Sequence, residues 1–238
     1  MGNAFPWFRI FHVGDDAYVD GFPPKAVLSL GQLPLPAPFR FCTLHATDPA
    51  AAKSVLSPMP SGPAFFFFTE TWMLDLARER AALDHTRPSW LFQLRREDFL
   101  DEQEHEVRPV GIEWAGQIAK WWDPENPTEP YVRSRLENGL SAGIYDEDRL
   151  VAWYATHVET DKVVIMGFLH VLDEYRRKGY ARSLSCALSK EIFRRGKIPA
   201  CHVYMDNEPS IRLMESLRLR KGKQQVFTGL EINQSSQS

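Results

Sequence analysis

The chain has 238 residues, 44% of them hydrophobic and 25% charged, which is enough apolar sequence for one large or two small folded domains. A formal net charge of -3 gives no indication of a nucleic-acid or membrane partner. The three cysteines, Cys42, Cys186 and Cys201, are few, odd in number and widely spaced, which argues against a disulfide scaffold or a metal cluster. We therefore expect a cytoplasmic protein with reduced thiols and no metal.

The first part of the chain predicts strands and turns with one short helix. Residues 1–40 are rich in proline and aromatic residues, and residues 26–30 fit either a strand or a helical turn. Two apolar runs predict strands, at 39–44 and 64–69. Between them, Asp48 followed by Pro49 is typical of a helix start, so we expect Asp48 to cap a helix that runs to about Leu56.

The next stretch predicts a helix and then a boundary between domains. Residues 71–83 carry apolar side chains at helical spacing, and residues 90–94 form another short apolar run. The acidic stretch 97–106 predicts a linker or a surface helix. We place a domain boundary near residues 105–110, after an N-terminal lobe of residues 1–106.

The second domain, residues 107–232, begins with two predicted helices followed by two strands. The helices are expected at 112–122 and 131–138, and Gly139 ends the second. The strands are expected at 141–145 and 150–158, joined by an acidic turn. The second strand then turns at 159–161 into the centre of the domain.

The central stretch reads as a strand, a glycine-containing turn and an amphipathic helix. Val163–Val171 is apolar and β-branched, as in a strand buried on both faces. The following helix ends near Gly196, where a left-handed C-terminal cap is expected. The turn at 176–181 carries three cationic side chains just before the positive end of the helix dipole, which predicts an anion-binding site.

The last part of the chain predicts a strand, a helix and a closing strand. The strands are expected at 200–205 and 224–232, and Asn207 is expected to cap the helix between them. Residues 233–238 are polar and predict a disordered tail.

Two motifs in this region resemble those of a known superfamily. The pattern Arg176-x-x-Gly179-x-Ala181, directly after a strand, resembles the [QR]-x-x-G-x-[GA] loop with which GNAT acetyltransferases bind the pyrophosphate of acyl-CoA. Asn207-x-x-Ser210 is similar to the N-x-x-[AS] sequence that opens the last helix of that superfamily. The resemblance implies the GNAT fold, of class α/β (α+β), with a mixed, mostly antiparallel, twisted sheet flanked by helices.

Residues 107–232 resemble one branch of that superfamily, the glycine N-acyltransferase-like or FR47-like proteins. The resemblance is carried by residues 139–145 and by the following Leu150-Val151-Ala152-Trp153. In that branch the N-terminal half is a second, degenerate GNAT-like lobe, and residues 1–106 would be its counterpart. We find no second phosphate loop in residues 1–106, which implies a single CoA site.

The resemblance implies acetyl-CoA or another acyl-CoA as co-substrate. Its pyrophosphate would lie on the amides of the loop, and its pantetheine arm would pair with the end of the central strand. Asn207 would contact the pantetheine or serve only as a helix cap, with both roles left open. The predicted CoA-binding residues are Leu169, His170, Val171, Arg176, Arg177, Lys178, Gly179, Tyr180, Ala181, Arg182 and Asn207.

The catalytic base is not fixed by the resemblance. Glycine acyltransferases are thought to use a glutamate on the central strand, but that position falls near Ile165 and Met166 in this chain. Met214 stands where many GNAT enzymes carry a tyrosine acid. His170 is the best-placed titratable group because imidazole titrates near neutral pH, and His157 is the second candidate. His170 could instead be a hydrogen-bonded packing residue.

Three functions fit these features. The first is an acyl-CoA-dependent N-acyltransferase that moves an acetyl or longer acyl group to the amine of a small molecule such as an amino acid. The second is a protein or peptide N-acetyltransferase. The third is a non-catalytic acyl-CoA-binding GNAT module, which the missing glutamate and tyrosine would favour.

Overall fold

The computed structural model describes residues 16–32, 40–79, 81–124 and 128–232. In these residues one sheet of ten strands is flanked by six α-helices. The strands are β1 (Asp16–Val19), β2 (Ala26–Gln32), β3 (Arg40–Ala46), β4 (Gly62–Phe68), β5 (Ala81–Gln93), β6 (Ser141–Asp146), β7 (Arg149–Glu159), β8 (Val163–Val171), β9 (Ile198–Tyr204) and β10 (Arg220–Ile232). The helices are α1 (Pro49–Leu56), α2 (Met73–Arg78), α3 (Ala115–Trp122), α4 (Glu129–Asn138), α5 (Tyr180–Arg194) and α6 (Glu208–Ser216).

The sheet is mixed and mostly antiparallel, as predicted. Its strand order is β1-β2-β3-β4-β10-β5-β9-β8-β7-β6. Only the β3–β4 and β8–β9 pairs are parallel. The last strand, β10, therefore lies between β4 and β5, both of which come from the first part of the chain.

Two large hydrophobic cores lie along this sheet, with a small third cluster of Leu91, Ile165 and Ala200, and β5 and β10 extend between the two large cores. One core contains Phe66 and Phe68 of β4 together with Val226 and Leu230 of β10. The other contains the fully buried Trp153 together with Phe92 of β5 and Leu219, just before β10. The predicted division at residue 106 stays a prediction, and strands from both sides of it contribute to both cores.

Local sequence signals account for three of the helix boundaries. The carboxylate of Asp48 accepts a hydrogen bond from the amide of Ala51 at 2.9 Å, which caps α1 as predicted. Asn207 caps α6 in the same way through the amide of Ser210, at 3.2 Å. Gly196, with φ of +72°, follows the end of α5 as the predicted left-handed residue. The last two of these residues mark the start of α6 and the end of α5, the helices beside the candidate site.

The predicted helix at 71–83 is wrong in its second half. The helix α2 ends at Arg78, and β5 begins at Ala81. The strand β5 pairs with β10 along most of its length and with β9 from Ser89 to Gln93. These long-range pairings outweigh the helical spacing of the apolar side chains.

Some predictions concern residues outside the described ranges. They are the parts of 1–40 that precede residue 16 or fall in 33–39, and the tail at 233–238. Residues 26–30 lie in a strand, β2, which resolves the two alternatives for that segment.

Candidate functional site

The strands β8 and β9 pair over their first residues and then separate, which leaves a wedge between their second halves. They pair in parallel from Val163 with Ile198 to Met166 with Cys201, and the register ends there. The rest of β8 is half-buried at Leu169, His170 and Val171, whereas its first half is mostly buried. The backbone of β8 beyond Met166 is therefore open to a ligand on the side that faces β9.

A bulge in β8 bends the strand at the start of this wedge. Trp153 pairs with His170 and Ala155 pairs with Gly167, so two steps along β7 match three along β8. Phe168, inside the bulge, has φ of +62°, a left-handed conformation that costs a non-glycine residue about 1 kcal/mol. Such strain persists only where the surrounding structure holds it in place. Here the bulge changes the direction of the strand over residues 169–171.

The loop after β8 ends at the N-terminus of α5. It contains two left-handed residues, Arg177 with φ of +61° and Gly179 with φ of +83°. No side chain caps α5 at Gly179, and the first helical hydrogen bond runs from the amide of Ser183 to the carbonyl of Gly179, at 3.0 Å. The amides of the first turn therefore lack partners within the helix and, with the helix dipole, favour an anion.

The cations of this loop differ in how far they are already engaged. Arg176 pairs with Asp173 at 2.8 Å and also donates to the carbonyl of Val171 at 3.2 Å. Arg182 pairs with Glu102 and donates to the hydroxyl of Ser216. In the part of the chain that the structure describes, Arg177 and Lys178 have no carboxylate partner, which leaves both side chains available to an anion.

His170 lies between two indole rings at the wedge. Its ring centroid is 4.7 Å from that of Trp121 of α3 and 4.8 Å from that of Trp153 of β7. Nε2 is buried and has no hydrogen-bond partner among the described residues. Burial lowers the pKa of His170, and the nearby Arg176 lowers it further. The ring is thus held neutral, with one buried nitrogen that lacks a hydrogen-bond partner among the described residues.

His157 belongs to a packed aromatic cluster. Its Nδ1 lies 3.1 Å from the hydroxyl of Tyr131, and its ring centroid lies 4.1 Å from that of Phe168. The ring covers Gly167 so closely that a Cβ there would come within 2.0 Å of it. Burial lowers the pKa of His157 to about 3. These contacts suit a packing residue better than a base.

The other wall of the wedge is the end of β9 and the start of α6. Tyr204 is 40% exposed there, and the guanidinium of Arg87 lies 4.6 Å from its ring centroid. Asn207 uses its side-chain oxygen for the α6 cap, which leaves its amide group for other partners. Met214 is buried beside the thiol of Cys201, at 3.4 Å between the sulfur atoms.

Residues 101–106, which we call the strap, were predicted only as part of a linker or a surface helix. They follow a short 3-10 helix, Arg96–Asp98, and lie along α5 towards its N-terminus. Asp101 pairs with Lys190, Glu102 pairs with Arg182, and the amide of Glu104 donates to the hydroxyl of Ser183 at 3.1 Å. The sequence gives no local signal for these contacts because they join residues about 80 positions apart.

Comparisons with known proteins agree with this geometry. The model of the FR47-like protein family matches residues 141–228, which include β8, β9, α5 and α6. No curated protein sequence matches the chain. Within the described residues, no helix is long and apolar enough to cross a membrane.

Several solved structures are similar to the chain. A Drosophila protein is 19% identical, with a TM-score of 0.73 over 86% of this chain and 74% of that one. A GCN5-related N-acetyltransferase from Kribbella flavida is 15% identical, with a TM-score of 0.66 over 97% of this chain and 95% of that one. A tandem GNAT protein from the clavulanic acid biosynthesis pathway is 12% identical, with a TM-score of 0.61 over 94% of this chain and 84% of that one.

These likenesses establish the fold. The chain has the GNAT fold, and the predicted resemblance to the GNAT superfamily is confirmed. The FR47-like match covers the strands and helices around the wedge. The residues that bind a ligand there, and the acceptor, stay predictions.

Proposed function

We propose that the protein is an N-acyltransferase that moves an acetyl or longer acyl group from CoA to the amine of a small molecule such as an amino acid. The observation that carries this proposal is the separation of β8 from β9 beside the uncapped N-terminus of α5. An open strand edge can pair with the amides of a pantetheine arm, and a helix N-terminus can hold a pyrophosphate. The two features are adjacent because the loop 172–179 joins β8 directly to α5.

In this proposal the CoA-binding residues keep the roles that the sequence suggested. The backbone of Leu169 to Val171 pairs with the pantetheine arm. The amides and side chains between Arg176 and Arg182 hold the pyrophosphate, with Arg177 and Lys178 as the cations not yet paired with a carboxylate. Asn207 offers its amide group to the pantetheine from the other wall.

His170 is the residue that we propose as general base. It accepts the amine proton on Nε2 while the amine nitrogen attacks the thioester carbonyl. The tetrahedral intermediate then collapses, the carbon–sulfur bond breaks, and CoA leaves as the thiolate. Because the pKa of His170 is lowered, the ring is unprotonated at neutral pH and able to accept this proton.

A non-catalytic acyl-CoA-binding module is the second candidate. Two buried residues favour it, since Ile165 and Met214 stand where a carboxylate base or a tyrosine acid would be expected from the resemblance. Such a module would bind acyl-CoA through the same wedge and loop without transferring the acyl group. The two functions differ only in whether the bound acyl group is transferred to an amine.

The first test is binding of CoA, acetyl-CoA and a long-chain acyl-CoA, measured by thermal shift and calorimetry, together with thiol release in the presence of amino acids and other amines. The variant is Arg177→Glu, which reverses one charge at the loop. Its control is Arg194→Glu, which makes the same change at the other end of α5, where the side chain is 76% exposed. We expect CoA to stabilise the wild type and the control and to bind Arg177→Glu more weakly.

The outcomes separate the candidates. Thiol release that depends on an amine supports the transferase, whereas CoA binding without release by any amine favours the binding module. Absence of binding by all three CoA compounds would rule out both. A variant at Gly179 is less useful here, because an added Cβ would lie 3.4 Å from the ring of His105 and φ is +83°.

A further inference from the structure

The strap contacts the proposed phosphate loop through one side chain, His105. Nε2 of His105 lies 2.7 Å from the carbonyl oxygen of Lys178. A carbonyl oxygen can only accept a hydrogen bond, so Nε2 carries the hydrogen and donates it. The half-buried His105 ring also meets the ring of Tyr180 edge-on, at 4.6 Å between centroids.

This hydrogen bond fixes the direction of the next amide. The peptide bond between Lys178 and Gly179 is planar and trans, so the carbonyl of Lys178 and the N–H of Gly179 point in opposite directions. With the carbonyl directed at the strap, the N–H of Gly179 is directed away from it. The strap thus covers one side of the loop and leaves the other side for an anion.

We propose that His105 is a positioning residue that holds the phosphate loop in its CoA-binding conformation. This inference rests on the proposed function, because it assigns the loop to the pyrophosphate of CoA. His105 acts through the Lys178 carbonyl and does not itself touch the ligand. The N-terminal side of the predicted domain boundary therefore contributes to the CoA site.

The loop conformation needs such support. Arg177 lies in the left-handed region, which disfavours a residue with a side chain, whereas Gly179 adopts that region without this cost. The strap is also fixed to the first turn of α5, directly after the loop, since the amides of Glu104 and His105 both donate to the hydroxyl of Ser183, at 3.1 and 3.3 Å. These contacts place the His105 ring on the loop before any ligand arrives, so less conformational entropy is lost on binding.

The test compares two ligands that differ in phosphate. Calorimetry or ligand-detected titration measures the Kd of CoA and of pantetheine, which lacks the pyrophosphate, for the full chain. His105→Leu removes the donor and keeps an apolar side chain against Tyr180. We expect the Kd of CoA to rise about tenfold, the loss typical of one hydrogen bond, and the Kd of pantetheine to stay unchanged.

Two further variants make the result specific. His105→Gln retains an N–H donor that can reach the Lys178 carbonyl, and we expect it to restore the CoA affinity to within about threefold of the wild type. Glu106→Leu places the same new side chain on the strap at a position 86% exposed, and we expect no effect on either ligand. Circular dichroism and thermal unfolding check that each variant is folded.

The outcomes distinguish this inference from the proposed function. A wild type that binds CoA while His105→Leu binds it equally well overturns only the positioning role. Equal weakening of CoA and pantetheine, without rescue by His105→Gln, also overturns it, because that pattern describes a general structural defect. A wild type that does not bind CoA removes the proposed function and this inference with it.

Discussion

His170 combines burial with a free ring nitrogen, and this combination predicts a pH profile. Between Trp121 and Trp153 its pKa lies below the ordinary value of 6.5, so its basic form persists at a pH where an exposed histidine would be protonated. If His170 is the base, kcat/KM falls on the acid side with an apparent pKa below 6.5. We expect His170→Gln to lower kcat about 10²- to 10⁴-fold and to remove this acidic limb.

The matched control is His45→Gln. His45 lies on β3, distant from β8 in the strand order, and burial lowers its pKa as well. Its Nδ1 lies 2.8 Å from the hydroxyl of Thr69, so this ring has its own partner away from the wedge. The control should keep the activity and the acidic limb of the wild type. A pH profile of His170→Gln that retains the limb would assign it to another group.

The lowered pKa of His157 predicts how the free energy of unfolding depends on pH. Its pKa in the folded protein is about 3, against an ordinary value of 6.5, so below pH 6.5 the unfolded chain binds a proton that the folded chain does not. The contribution is fully present above pH 6.5, and the free energy of unfolding falls below it by about 1.4 kcal/mol per pH unit. His202, with a pKa of about 4, adds a similar loss over much of the same range.

Urea unfolding of the wild type and of His157→Phe between pH 6.5 and about 4.5 measures this slope. The variant retains an aromatic ring against Phe168 but cannot be protonated, so we expect its slope to be smaller than that of the wild type by about 1.4 kcal/mol per pH unit. Loss of the Tyr131 partner lowers the stability of the variant at every pH and leaves the slope unaffected. Equal slopes in the two proteins would contradict the assignment to His157.

At the scale of elements, Asn207 at the start of α6 has two roles that substitutions can distinguish. Its side-chain oxygen caps the helix, and we propose that its amide group contacts CoA. Asn207→Ala should cost about 1 kcal/mol of stability through loss of the cap. Asn207→Ser retains a capping oxygen and should keep nearly all of that stability.

CoA affinity then assigns the second role. We expect both variants to bind CoA more weakly than the wild type, because neither can donate from an amide. If Asn207→Ser binds CoA as well as the wild type does, the residue is only a helix cap. Denaturant unfolding and calorimetry on the same three proteins provide both comparisons.

The elements that were predicted well are those whose signals are local. Asp48 with Pro49 and Asn207 mark helix starts through caps that involve residues three positions apart, and β8 is a continuous apolar run. The start of β5 was missed because its partner β10 lies more than a hundred positions later in the chain.

In the candidate site, too, the features with local signals were predicted and the long-range contacts were not. The loop 176–181 and the end of β8 were predicted from contiguous sequence, and the structure places them side by side. The contact of Trp121 with His170 and that of His105 with Lys178 join residues far apart in the chain. The bulge at Phe168 was also missed, because nothing in its sequence marks a left-handed phenylalanine.

At the scale of the whole molecule, the sheet links the two cores. The strand β10 pairs with β4 on one side and with β5 on the other, while β5 also pairs with β9. Neither β5 nor β10 can leave its position without breaking pairings that belong to both cores. We therefore infer that the two lobes unfold as one cooperative unit.

A substitution in the N-terminal core tests this coupling. Phe66 is fully buried against Phe68, and Phe66→Ala should destabilise the protein by about 3–5 kcal/mol. In one cooperative unit the slowest amides of β8, in the other core, lose the same amount of protection against hydrogen exchange. Phe22→Ala makes the same change at a side chain 99% exposed, and we expect it to leave exchange in both cores unchanged.

The opposite result has an equally definite meaning. If Phe66→Ala accelerates exchange only in β2, β3 and β4, the N-terminal lobe opens by itself and β10 releases β4 while it keeps β5. The boundary near residue 106 would then separate two units of independent stability. If protection in β8 falls together with that in β4, then a substitution remote from the wedge changes how often the strands beside the wedge unfold. The reason is that β5 and β10 connect both cores.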